Sequence, residues 1–266
     1  MDRVMSKDGT SIGYERDGSG PAVILVGGGA VDRSENTPLA TELASWFTVY
    51  NYDRRGRGDS GDTQPYAVAR EIEDIQALID AAGGTAHLYG ASSGGALALE
   101  AAAAGLPVGK LAVYEVPYSM SEPAMQRWRA YVESLQALLA EDRRSDPFEL
   151  FMRTAGASDE MVASAKGSPV WARCQAIAPT LAYDAACLGD GTPPTARLAT
   201  ITRPTLVATG GASPDSFVGG GGSFFDDAAD AIATAIPHAQ RQVVEGQTHM
   251  VDPKTLAPIF HQFFQQ

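Results

Sequence analysis

With 266 residues and 20 Lys and Arg against 32 Asp and Glu, the chain carries a net charge of −12 and has material for one large domain or one domain with an insertion. The acid excess argues against nucleic acid or an anionic membrane surface as a partner, since both select clustered Lys and Arg. Two cysteines (Cys174, Cys187) and four scattered histidines make neither a disulfide framework nor a metal site, so no metal or other cofactor is expected.

The charged start, Met1 to Thr10, lacks the apolar stretch of a signal peptide, and no run reaches the roughly 18 apolar residues of a spanning helix. Both features predict a cytoplasmic protein. Residues Ser11–Asp17 alternate as a strand. Ala22–Val26 is a continuous apolar strand that ends in Gly27-Gly28-Gly29, and Phe47–Tyr52 is another, followed by the turn Asp53-Arg54-Arg55-Gly56-Arg57-Gly58. Tyr66–Ala81 has helical spacing, with Val68, Ile72, Ile75, Leu78 and Ile79 on one face and Gly83-Gly84 as its stop. Strand Ala86–Tyr89, an Ala-rich helix from Ser93 to Ala104 and strand Leu111–Glu115 come next. Continuous apolar strands separated by helices predict a parallel sheet covered on both faces.

From Tyr118 the pattern changes to helices alone: Glu122–Leu139, Pro147–Thr154, Asp159–Ala165 and Val170–Cys187. Strand Pro204–Thr209, helix Phe224–Ile236, strand Arg241–Glu245 and helix Pro253–Phe264 then restore the alternation. Residues 1–117 and 196–266 are therefore expected to form an α/β core, and 118–195 a helical cap over the carboxyl edge of the sheet, where open α/β folds bind ligands. The run Gly219–Gly222 reads as a flexible connection near that edge, with a gate as the alternative.

Strand Ala86–Tyr89 passes through Gly90-Ala91-Ser92-Ser93-Gly94 directly into a helix, which is the strand–turn–helix setting that a G-x-S-x-G nucleophile requires. Ser92 is the predicted nucleophile. The backbone N–H of Ser93, at a helix N-terminus, is one expected oxyanion donor, and Gly29, on the loop after Ala22–Val26, is the second. Among the histidines, His87 lies in an apolar strand, His238 in a polar turn and His261 on the last helix. His249 follows the final strand, at the edge where a base can reach the serine, and is the predicted base.

The full chain resembles the α/β-hydrolases that carry a helical cap, and Asp53–Ser60 is similar to their D-x-R-G-x-G-x-S turn, a structural element there. The resemblance implies a mostly parallel eight-stranded sheet flanked by helices. Most of these proteins place the triad acid after the strand corresponding to Leu206–Thr209. In this chain Ser213 stands at that place and Asp215 follows two residues late. A minority place the acid after the strand that follows the nucleophile helix, where Glu115 stands. Fungal zearalenone lactonases are similar in the elbow with its doubled serine, the Glu115 segment, Pro169-Val170-Trp171-Ala172-Arg173, and Gly211–Pro214 with Phe224-Phe225-Asp226 downstream. A broad actinobacterial group shares Tyr114-Glu115-x-Pro117. The resemblance implies a triad of Ser92, His249 and Glu115, an oxyanion hole of Gly29 and Ser93, and Trp171 in the substrate pocket.

Tyr118, Trp128 and Met250 are further candidates for an apolar pocket wall, although the helical spacing of Trp128, Tyr131, Leu135, Leu138 and Leu139 equally describes a cap helix packed on its neighbours. The expected activity is hydrolysis of a carboxylic ester or lactone of a mid-sized, largely apolar small molecule through an acyl-enzyme. C–C bond hydrolysis with the same triad, and a non-hydrolytic receptor or cyclase on the same fold, are the alternatives. Neither the substrate nor an oligomeric state is legible in the sequence.

Overall fold

Eight strands make one sheet in the computed structural model, which describes residues 1–212 and 223–265. They are β1 (Asp2–Met5), β2 (Ser11–Asp17), β3 (Ala22–Val26), β4 (Thr48–Tyr52), β5 (Ala86–Ala91), β6 (Val108–Tyr114), β7 (Thr205–Gly210) and β8 (Ala239–Val244). Their spatial order is β1-β2-β4-β3-β5-β6-β7-β8. Only β2 runs against its neighbours, and all pairings from β4 to β8 are parallel. β1 is an addition to the predicted strands. It has four mostly exposed residues on the edge and no apolar periodicity to announce it.

The continuous apolar runs are buried on both faces. Val23, Ile24, Leu25 and Val26 of β3 are all fully buried, yet successive side chains serve opposite layers. Ile24 and Val26 join Ile75 of α2 (Val68–Ala81), Leu97 of α3 (Ser93–Ala103) and Ile232 of α10 (Phe224–Ala235). Val23 and Leu25 join Leu39 and Leu43 of α1 (Thr37–Leu43) and Phe260 of α11 (Pro253–Gln265). Burying each such side chain contributes roughly 1.5–3 kcal/mol, so these two layers hold the strand ends that carry the site in place.

Between β6 and β7 lie α4 (Glu122–Ala140), α5 (Ser145–Thr154), α6 (Asp159–Lys166), α7 (Trp171–Ile177), α8 (Leu181–Leu188) and the single turn α9 (Thr195–Leu198). The helix expected over Val170–Cys187 is in fact two, separated by a 3-10 turn at Ala178–Thr180. Pro179 is the cause: it has no N–H to give, and its ring clashes with the carbonyl four residues back. This helical insertion has its own core, with Tyr131, Leu135, Phe148, Trp171 and Leu181 packed around Ala30 of the loop after β3. α8 lies against α3, so the insertion rests beside the start of the helix that follows Ser92. Among the described residues no helix is long and apolar enough to cross a membrane.

His87 of β5 is half-buried, with its ring engaged in packing. Its Nδ1 accepts the Lys110 N–H at 3.0 Å, and its ring stacks on Phe264 with centroids 4.8 Å apart. Burial, and then Lys110 nearby, push its pKa down to about 4. An unfolded chain would bind a proton near pH 6.5, so this histidine's share of stability is complete above that pH and is lost as pH falls toward 4. Thermal unfolding should therefore show Tm falling more steeply between pH 6.5 and 4.5 in wild type than in His87→Asn. Parallel slopes would remove His87 as the cause.

Candidate active site

Ser92 sits between β5 and α3 with φ 54° and ψ −129°, a conformation that costs an L-residue of order 1–3 kcal/mol. The surrounding glycines make that turn possible. A Cβ on Gly90 would fall 2.3 Å from the Gly94 carbonyl oxygen, and one on Gly94 would fall 2.4 Å from the carbonyl oxygens of both Val26 and Gly27. The Ser92 N–H donates to the Tyr114 carbonyl at 2.9 Å, tying the elbow to the end of β6. The turn thus presents a half-buried hydroxyl at the carboxyl edge of the sheet.

The loop Gly27–Ala30 passes directly alongside. A Cβ on Gly28 would lie 3.4 Å from Ser92 Cβ, and one on Gly29 3.5 Å from Ser93 Oγ. Both amides singled out in the sequence, those of Gly29 and Ser93, therefore belong to segments that meet at the serine. Ser93 is the first residue of α3, so its N–H also stands at the positive end of a helix.

Glu115 and His249 come together from residues 134 apart. Glu115 follows β6 with φ 47°, and its N–H donates to the Ala208 carbonyl of β7 at 3.0 Å. That kink turns a buried carboxylate along the sheet edge, where Oε1 accepts the Gly210 N–H at 2.8 Å and Oε2 accepts from His249 Nδ1 at 2.7 Å. Because a carboxylate only accepts, Nδ1 carries a hydrogen, and in the neutral tautomer with that hydrogen the lone pair is on Nε2. The His249 loop is held by Tyr114, whose hydroxyl donates to the Thr248 carbonyl at 2.6 Å, and by the Ala212 N–H on the Gln247 carbonyl at 2.9 Å. Phe225 stacks on the imidazole, centroids 5.0 Å apart and planes 15° from parallel. The sequence offered Phe225 only as part of a similar segment, with no sign of this stacking. The competing acid Asp215 and the run Gly219–Gly222 lie outside the described residues.

Comparison with known proteins agrees with the fold. The alpha/beta hydrolase family profile matches residues 23–258. The chain belongs to the alpha/beta hydrolase family. An alpha/beta hydrolase from Sphaerobacter thermophilus DSM 20745 is 48% identical, with 99% of this chain and 100% of that one covered and a TM-score of 0.86. The enol-lactonase from Burkholderia xenovorans LB400 shares the fold at 19% identity and a TM-score of 0.73, with both chains covered in full. An uncharacterized hydrolase of Bacillus subtilis (strain 168), YraK, is 35% identical over 96 residues, and this match spans only 35% of the length of each protein.

In this alpha/beta hydrolase the D-x-R-G turn carries a buried ion network that the sequence did not disclose. Arg54 makes a two-pronged pair with Glu71, Nε–Oε2 and Nη2–Oε1 both 2.7 Å, and its Nη1 donates to Asp184 Oδ1 at 2.7 Å. Burial works against the Glu71 charge, but Arg54 outweighs it and holds this carboxyl below the usual range. Arg57 Nη2 donates to the same Asp184 Oδ1 at 2.7 Å. The only sequence signal was an isolated acid in the apolar stretch Leu181–Leu188.

The expected pocket residues divide. Met250, next to His249, is 64% exposed. Trp171 is buried in the core of the insertion, edge-on to Phe148, with its indole N–H on Ser145 Oγ at 3.3 Å. The Trp128 indole donates to the Gly189 carbonyl at 3.1 Å and covers Gly191, where a Cβ would fall 2.3 Å from its ring. Tyr118 is buried in the main core and lines a cavity of about 520 Å³ with Glu100, Cys187 and Arg197, to which neither Ser92 nor His249 contributes. Each of the three aromatic rings has packing neighbours of its own: Phe148 for Trp171, Gly191 for Trp128 and the main core for Tyr118. Helical spacing shows which side of a helix is apolar, and packing decides what that side covers.

Proposed function

We propose that this alpha/beta hydrolase cleaves carboxylic esters or lactones through a Ser92 acyl-enzyme. The observation that carries the reading is the convergence at one sheet edge of a strained serine, a glycine loop beside its Cβ, and a histidine whose Nδ1 is held by a carboxylate. His249 Nε2 takes the Ser92 hydroxyl proton as Oγ bonds to the substrate carbonyl carbon. The resulting oxyanion is held by the Gly29 and Ser93 N–H groups, and Glu115 stabilises the imidazolium. As the C–O bond breaks, His249 returns the proton to the leaving alkoxide, which in a lactone stays attached to the acyl group. Water then loses a proton to His249 as it bonds to the acyl carbon, and when the acyl–Oγ bond breaks His249 returns that proton to Ser92 Oγ and the acid leaves.

The helical insertion acts as the cap, and Met250 is the pocket residue best supported by its exposure beside the base. Trp171 contributes by fixing the shape of the cap. The test is hydrolysis of a panel of p-nitrophenyl esters and macrocyclic lactones, together with labelling by a fluorophosphonate. Serine-dependent turnover is expected, with the preferred acyl chain or ring giving the pocket size. Labelling of Ser92 without turnover of any ester or lactone would favour the receptor reading instead.

A further inference from the structure

We infer that Asp184, a residue of the insertion, is a positioning residue for the oxyanion hole. The inference rests on the reading of Ser92, Gly29 and Ser93 given above. Asp184 Oδ1 accepts from Arg54 Nη1 and Arg57 Nη2, both at 2.7 Å, and from Ser93 Oγ at 2.9 Å, while Oδ2 accepts the Ala30 N–H at 3.2 Å. One buried carboxylate therefore touches both segments that supply the oxyanion donors. Its Oδ2 also lies 3.3 Å from where a Cβ on Gly29 would be.

Peptide geometry connects these contacts to the donors. The Gly29 N–H belongs to the Gly28–Gly29 peptide, and in a trans peptide the N–H points opposite to the carbonyl. That carbonyl, Gly28 O, accepts from Arg57 Nη1 at 2.6 Å, so Arg57 sets the direction of the Gly29 N–H. Arg57 Nη1 also donates to the Val31 carbonyl at 3.2 Å, and among the described residues its Nε has no partner and Asp184 is the one carboxylate that anchors the guanidinium. The next residue, Ala30, has φ 59°, a conformation unfavourable for an L-residue, and its N–H on Asp184 helps to hold it. On the other segment, the Ser93 hydroxyl on Oδ1 fixes the residue whose own N–H is the second donor.

The two arginines explain how a carboxylate is tolerated so near a developing negative charge. Both are buried and both bond Oδ1, so its charge is matched before any oxyanion forms. The consequence is functional. The hole is complete only while α8 is seated on the core, which couples the seating of the cap to the chemistry.

The experiment compares wild type, Asp184→Asn, Ser93→Ala and Ser92→Ala in p-nitrophenyl butyrate hydrolysis and in inhibition by a trifluoromethyl ketone of matching chain length, with Tm recorded for each. Removing one oxyanion donor outright costs about 10²–10³ in kcat, so tilting the donors in Asp184→Asn should lower kcat about 10- to 100-fold. KM should stay close to wild type, and affinity for the ketone, which binds as an oxyanion, should fall by a similar factor. Ser93→Ala, which removes one contact and no charge, should move kcat and ketone affinity the same way by a smaller factor. A folded Asp184→Asn with lower Tm but wild-type kcat and ketone affinity would overturn the inference and leave Asp184 a stabilising residue only. If Asp184→Asn does not fold, unchanged kcat and ketone affinity in Ser93→Ala overturn it. Turnover retained in Ser92→Ala would instead remove the reading of the site, and this inference with it.

Discussion

Replacing Ser92 with Ala should abolish ester turnover, with kcat lower by at least about 10⁴-fold, and should end labelling by a fluorophosphonate. Alanine keeps the Cβ and the backbone, so the cost of φ 54° at this position is unchanged and Tm should stay near that of wild type. Whatever activity survives comes from binding and from the oxyanion donors acting on water, which triad enzymes retain at a low level. The comparison separates the serine from the rest of the pocket because the Gly27–Ala30 loop and the Glu115–His249 pair are untouched. Turnover at more than a few percent of wild type would mean that another group makes the bond to the substrate.

Glu115→Gln should lower kcat by about 10³–10⁴-fold, with little loss of stability. The reason is the tautomer. Glu115 accepts at both oxygens, from Gly210 N–H and from His249 Nδ1. A glutamine has one oxygen for these two donors. If it keeps the Gly210 contact, its NH2 faces Nδ1 and drives the imidazole hydrogen to Nε2, where it blocks proton uptake from Ser92. Asp215→Asn should leave kcat close to wild type. Kinetics of the two variants measured side by side decide the acid, and a large loss in Asp215→Asn with a mild one in Glu115→Gln would move the role to Asp215.

Much of the site was readable without coordinates because it is written locally. Gly90, Ser92 and Gly94 lie in one turn between an apolar strand and an Ala-rich helix, and the clashes that would follow a Cβ at either glycine are the physical content of that spacing. Glu115 and His249 each follow a strand, and parallel strands bring such ends to one edge. The break in the helix expected over Val170–Cys187 was also local, since Pro179 was present to be read, but the apolar periodicity on either side of it concealed the interruption. β1 was missed for the opposite reason, since an exposed edge strand leaves no apolar pattern.

The sequence by itself determined the order of the buried strands and most of the helices, the elbow, and the residue types waiting at the carboxyl edge, because those follow from backbone sterics and apolar period over a few residues. The tertiary structure alone decided that Asp184 meets Arg54 across 130 residues and Ser93 across 91, and which neighbours Trp171, Trp128 and Tyr118 pack against. The physical reason is the same in each case. A buried charge must find its partner wherever the chain brings one, and an aromatic ring fills the space its neighbours leave, so neither is specified by spacing along the chain.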